Sequence, residues 1–286
     1  MSRNLIANAK LSRPQLVEVL VRDRLIRQLQ PAPGRSTVFI SAPAGYGKST
    51  LLASYAERAE RTCLWYRIDS GDADPASFFY YLGLAAQRAS PRRRKALPLL
   101  TADHLPSLRH FARTFFSTLF ESLGKSAVLV FDDYHELPLD SPLHRVIEEN
   151  LARLPATLQV VMASRQPPPP AYARLIANRN MHLMERDEVK LTASECREIL
   201  ELHGFDVRDP EYLGRLLKTT DGWAAGLALL IQSRALNRLE QAASGYESPG
   251  MMFEYFANEI LQQLDVETQD FLLKTSLLSQ MSNRTA

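Results

Sequence analysis

The 286-residue chain is poor in the features that mark several protein classes. Its two cysteines, Cys63 and Cys196, supply neither a disulfide framework nor the paired spacing of a zinc site. The six histidines show no ligand spacing. No uninterrupted apolar run approaches the ~20 residues of a membrane span, and the amino terminus lacks the apolar core of a secretory leader. Cytoplasm is therefore the expected compartment, with no membrane partner. An excess of one charge is missing too: 34 Lys and Arg against 32 Asp and Glu leave +2, which offers no general attraction for nucleic acid. One dense basic run, Arg92-Arg93-Arg94-Lys95, reads as a solvated loop between helices, with phosphate or nucleic-acid contact as the alternative. What remains is a chain 45% hydrophobic, long enough for about two domains and a sizeable core.

Residues 38–50, VFISAPAGYGKST, carry the strongest local signal. A β-branched and aromatic run at 37–41 predicts a buried strand, and STLLASYAER at 49–58 spaces Leu51, Leu52, Tyr55 and Ala56 for a helix. Between them, Gly45 and Gly47 would let the backbone turn its N–H groups towards an oxyanion, with the positive end of the new helix behind them. Lys48 would reach the β- and γ-phosphates, and the Ser49 hydroxyl would ligate Mg²⁺. The strict phosphate-loop pattern places a glycine where this chain has Ala42, so an ordinary strand-to-helix turn stands as the alternative.

A phosphate loop requires a carboxylate at the end of a neighbouring buried strand. AVLVFDD at 127–133 supplies one. Asp132 would hold Mg²⁺ and Asp133 would orient the attacking water; the plainer reading is a solvated turn. A third strand at 158–163, LQVVMA, ends in Ser164-Arg165, which places Arg165 where open α/β sheets bind ligands and sense a γ-phosphate, unless it caps a surface loop. Further strands are expected at 62–68 and 181–185, and helices at 21–30, 75–88 and 108–123. Phe78, Phe79, Tyr80 and Tyr81 suggest base stacking, but helical spacing sends most of them to the core. From the capping box Thr192-Ala193-Ser194-Glu195 onward the pattern is helical, with linker signals at 237–250 and another helical stretch at 253–264.

Taken in order, Lys10-Leu11-Ser12-Arg13-Pro14, Val21-Arg22-Asp23-Arg24-Leu25, Ala42-Pro43-Ala44-Gly45-Tyr46-Gly47-Lys48-Ser49, Asp132-Asp133-Tyr134-His135, Ser164-Arg165 and Asp221-Gly222-Trp223-Ala224 resemble the motifs of MalT-like regulators. These are large ATP-binding members of the LuxR class, within the STAND branch of P-loop NTPases. The resemblance implies an α/β fold, a parallel sheet flanked by helices, in a nucleotide-binding domain at 1–190. It also implies a helical bundle at 191–245 and the start of a winged-helix domain, cut short, at 250–286. It assigns Val21 and Arg22 to the adenine side, and Ala44, Gly45, Tyr46, Gly47, Lys48, Ser49 and Thr50 to the phosphates. Ser49 and Asp132 fall to magnesium, Arg165 to phosphate sensing, and Trp223 to the nucleotide or the core. Ala224 stands where related NB-ARC proteins carry a proline.

The implied function is an ATP/ADP switch with slow hydrolysis that controls self-association of an ATP-bound full-length activator. Inducer and promoter DNA are expected to engage only regions beyond this chain. A STAND core with a defence or signalling output, or a housekeeping ATPase, is the alternative.

Overall fold

The computed structural model describes residues 9–31, 36–59, 61–91, 96–124, 126–206 and 209–232. The expected basic loop at 92–95, the linker at 237–250 and the winged-helix segment at 250–286 lie outside these residues.

Five strands form one sheet: β1 (Thr37–Ser41), β2 (Thr62–Arg67), β3 (Ala127–Asp132), β4 (Leu158–Ser164) and β5 (Met181–Glu185). Their order is β2-β3-β4-β1-β5 and every pairing is parallel. β3 and β4 are buried along their whole length, as expected of continuous apolar runs covered by helices on both faces. The period-two alternation of the strands divides their side chains between two cores. Phe39, Leu129, Phe131, Val160 and Met162 face one helix layer, formed by α3 (Pro75–Ala89), α4 (Leu108–Ser122) and α5 (Pro142–Leu151). Val38, Ile40, Val128, Val130, Val161 and Ala163 face the other, which contains α1 (Asp23–Leu29) and α2 (Lys48–Arg58).

Both α3 and α5 begin with a polar cap followed by proline. Asp74 accepts from the Ala76 and Ser77 amides before Pro75, and Ser141 accepts from the Leu143 amide before Pro142. Proline suits the first helical turn because its missing N–H would be unpaired there anyway. β3 stops at Asp132 rather than running through Asp133, because Asp133 turns into the left-handed region at φ 53°. Phe78 and Phe79 are core residues, whereas Tyr80 is 52% exposed on the opposite side of α3.

After β5 come a short α7 (Arg186–Val189), following α6 (Ala173–Ala177), and then α8 (Ala193–Leu202), α9 (Pro210–Thr220) and α10 (Ala224–Gln232). The capping box is formed: the Glu195 amide donates to the Thr192 hydroxyl, and the Thr192 amide donates to the Glu195 carboxylate. These three helices share their own apolar cluster around Leu200, Leu213, Leu216 and Leu227.

Phe79 is the centre of the aromatic packing between α3 and α4, with ring centroids 5.0 Å from Phe111 and 4.9 Å from Phe115. Phe79→Ala should lower folding stability by about 3–5 kcal/mol. A denaturant titration reads this as a lower midpoint, and an unchanged midpoint would show that the layer repacks.

Candidate functional site

Parallel pairing aligns the carboxyl ends of the strands, and the candidate residues gather there. Ser41 is level with Ser164 and Glu185, and Arg67 is level with Asp132. The chain leaves β1 into the 42–47 loop and enters α2 at Lys48. Gly45 and Gly47 both adopt φ 77°, a conformation that side chains disfavour. Ala42, in the place of the missing glycine, needs no such freedom: it lies outside the left-handed region, and its methyl group is buried in the core beside α2. The substitution is therefore compatible with the loop.

Lys48 is buried, and its Nζ donates to the carbonyls of Ala42 at 2.6 Å and Pro43 at 2.8 Å. Burial, reinforced by the Arg165 cation, lowers its pKa to about 8. The Ser49 hydroxyl donates to Asp132 Oδ1 at 2.9 Å, so the two expected magnesium ligands are already adjacent. Burial, with Asp133 alongside, pushes the Asp132 carboxyl up to about 6. A bound cation would relieve that penalty. Two oxygen ligands suit Mg²⁺, which keeps most of its waters and takes further ligands from phosphate. Asp133 Oδ2 instead accepts from Arg67 Nε at 2.8 Å, a contact the sequence did not suggest.

The loop is also held from outside. Trp223 Nε1 donates to the Ala44 carbonyl at 2.8 Å, and the Ala225 amide donates to the Gly45 carbonyl at 2.9 Å. In a planar trans peptide the C=O and the following N–H point in opposite directions. Fixing those two carbonyls on α10 therefore turns the Gly45 and Tyr46 N–H groups away from it. Trp223 is 8% exposed and belongs to the core beside α2, while it also touches the loop.

The Arg22 guanidinium is engaged within the chain itself. Its Nη2 donates to the Val189 and Lys190 carbonyls and to Glu195 Oε2, at 2.7, 2.8 and 3.0 Å. Arg24 joins the same carboxylate. Burial works against the charges of this cluster, yet hydrogen bonds from Arg22, Thr192 and Arg24 hold Glu195 below its ordinary range. Sequence reasoning saw Glu195 only as a helix cap. Val21 is partly buried against the α2-side core, and Thr50 lies in the first turn of α2. Arg165 follows β4 directly and adds a positive field at Lys48. A cavity of about 680 Å³ between the starts of α4 and α5 lies away from these residues, lined by Leu105, Arg109, Asp140 and Arg145.

Sheet order, glycine loop, buried lysine and the Ser49–Asp132 pair define a nucleotide-binding module of the P-loop class. No family model matches the chain. Among curated proteins it is similar to the HTH-type transcriptional regulator MalT of Cronobacter sakazakii, 30% identical over 96% of this chain and 31% of that protein. MalT of Serratia proteamaculans shows the same figures, and MalT of Vibrio campbellii is 28% identical with the same coverage. The similarity to MalT-type regulators implied by the motifs thus extends over nearly the whole chain, which spans about a third of the length of the curated relatives it matches. Solved structures with a distant likeness include a Walker-type ATPase of Pyrococcus abyssi, at TM-score 0.49 and 16% identity, covering 82% of this chain and 73% of that one. Domain III of the Thermotoga maritima replication initiation protein DnaA aligns at TM-score 0.40 and 16% identity, covering 80% and 87%. Among the described residues no helix is long and apolar enough to cross a membrane.

Gly45 and Gly47 separate two effects. A Cβ on Gly45 would stand 2.3 Å from Trp223 Nε1 and 2.7 Å from Ala225 Cβ, whereas one on Gly47 meets nothing within 4 Å. Both alanine variants carry about 1 kcal/mol of backbone strain, but only Gly45→Ala should displace α10. With Trp65→Phe as background, Trp223 fluorescence should shift to longer wavelength in Gly45→Ala and stay put in Gly47→Ala; equal spectra would refute the clamp. Asp132 generates a pH dependence. Protons and Mg²⁺ compete for its carboxylate, so the advantage of wild type over Asp132→Asn in Mg²⁺-dependent nucleotide affinity should be full at pH 7.5 and fade as pH falls through about 6. Calorimetry with and without Mg²⁺ measures it.

Proposed function

We propose that this chain is the ATP/ADP-binding switch module of a MalT-like transcription regulator, with Mg²⁺ as the accompanying ion. The observation that carries the reading is the attachment of α10 to the phosphate loop through Trp223 and Ala225. Any change in loop conformation on nucleotide binding acts directly on the helices that follow the sheet. A ligand shifts a conformational equilibrium only through different affinity for its two states, and in this reading the attachment makes the loop and α10 parts of one such equilibrium.

In this reading, the loop from Ala44 to Thr50 and Lys48 hold the phosphates, and Ser49 and Asp132 hold magnesium. Asp133 positions water for slow hydrolysis, which resets the switch. Arg165, at the end of β4, senses the γ-phosphate, while the Val21-Arg22 backbone borders the adenine. Exchange of ADP for ATP loosens α8 to α10 from the sheet and exposes surface for self-association of the full-length protein. Inducer and promoter recognition belong to other parts of that protein.

Lys48 is the residue to test. Losing a buried point charge against the β- and γ-phosphates should weaken both ATP and ADP at least tenfold in Lys48→Ala, since a charge-assisted hydrogen bond contributes about 1.5–3 kcal/mol. Calorimetry gives the affinities, and circular dichroism should show an intact fold. Unchanged affinity for either nucleotide would remove the phosphate-loop assignment.

A further inference from the structure

The seam between α4 and α5, on the outer side of their helix layer, plays no part in the reading so far. Two cavities lie along it. One, of about 680 Å³, sits between the helix starts and is lined by Leu105, Arg109, His110 and Arg145. The other, of about 320 Å³, sits towards the helix ends and is lined by Arg113, Ser117, Glu121, Asn150 and Arg153. Arg109, Arg113, Ser117 and Glu121 recur at helical spacing along α4, and Arg145, Glu149 and Arg153 do so along and just beyond α5, so one stripe of each helix borders the seam. Arg109 bridges it to Glu149 at 3.3 Å.

Arg113, Arg145 and Arg153 are exposed and have no ion-pair partner among the described residues. Two leucines stand open beside the first cavity: Leu105 is 50% exposed, and Leu139, next to Asp140 of its wall, is 68% exposed. A surface that offers guanidinium groups and apolar side chains together suits an acidic amphipathic helix laid into the groove. Nucleic acid fits it worse, because Asp140, Glu121 and Glu149 are interspersed with the arginines and would repel a phosphate backbone.

The chain itself contains such a segment. Residues 251–273, which lie outside the described residues, carry five carboxylates, Glu254, Glu259, Asp265, Glu267 and Asp270, and neither lysine nor arginine. In the helix expected at 253–264, Phe253, Phe256, Ile260 and Leu264 form one apolar stripe, with Glu254 on one side of it and Glu259 on the other. At 1.5 Å per residue that helix is about 18 Å long, against about 22 Å for α4. The described chain ends at Gln232 of α10, which packs through Ala225 and Leu229 on the α2-side core, across the sheet from the seam. A connector from there to the seam of the same molecule would have to run around the sheet, whereas a neighbouring molecule meets no such constraint. We propose that the acidic segment at 253–270 of one copy docks in the α4–α5 seam of a second copy, head to tail. The proposal deepens the self-association in the nucleotide-switch reading, and because the seam lies away from the phosphate loop, a failed Lys48 test would leave it standing.

Sedimentation velocity on the whole chain, over a concentration series with and without a non-hydrolysable ATP analogue and Mg²⁺, provides the test. Wild type should associate as concentration rises, and less so at higher salt, because exposed charge pairs are screened. Arg113→Glu with Arg145→Glu, and separately Glu254→Lys with Glu259→Lys, should each raise the dissociation constant roughly tenfold or more, since like charges then face each other across the contact. Mixing these two variants should restore association, because each supplies the half that the other lacks; restoration also shows that both are folded. A wild-type chain that stays monomeric in both conditions, a reversal without effect, or a mixture no more associated than its components would each overturn the proposal.

Discussion

Two carbonyl groups, those of Ala44 and Gly45, hold the arrangement together. Both accept hydrogen bonds from the start of α10, one from an indole and one from a backbone amide. The planarity of the peptide bond means that this attachment turns the Gly45 and Tyr46 N–H groups away from α10. Gly45 can have no side chain, because any Cβ would occupy the space of the Trp223 ring. The glycine thus serves the loop's backbone conformation and the close approach of α10 together. Local sequence, tertiary packing and proposed switching meet at one residue.

A second fastening lies at the turn between α7 and α8. Arg22 and Arg24, from the segment leading into α1, converge on Glu195 and on the carbonyls of 188–190. Arg22 and Glu195 are each 8% exposed. Removing one partner from a buried pair costs about 3–5 kcal/mol, because the other charge is left without compensation. Nearby, the Leu191 amide donates to the Gly222 carbonyl, so the turn and the start of α10 are joined as well. The starts of α8 and of α10 are consequently both fastened, one to the segment before α1 and one to the 42–47 loop, and a conformational change that separates them has to release a polar hub as well as apolar surface.

Much of this was legible because the pattern was local. Continuous apolar runs ending in Asp132 and in Ser164-Arg165 specify buried parallel strands, and their carboxyl ends assemble the site with little further information. Thr192 and Glu195 announce a helix start through spacing alone. What could not be read were the long-range partners. Nothing near Arg22 in sequence reveals that its guanidinium would enter a carbonyl cluster 167 residues away. The same holds for Arg67 and Asp133, brought level by strand register, and for Trp223, whose burial and loop contact arise together. His135 was visible within a quoted motif, but its unpaired Nδ1 is a property of the packed structure.

Lys10 sets a lower boundary on what can be removed from the amino-terminal side. Its ammonium group is buried, 2.8 Å from both Asp69 and Asp72, and lies 4.8 Å from the centre of the Tyr81 ring. Asp72 is wholly inaccessible and also accepts from the Tyr66 hydroxyl. A shortened chain that begins after Lys10 would leave that carboxylate without its counter-charge beside the end of β2, so the smallest autonomous unit must include a stretch of chain that belongs to no strand of the sheet.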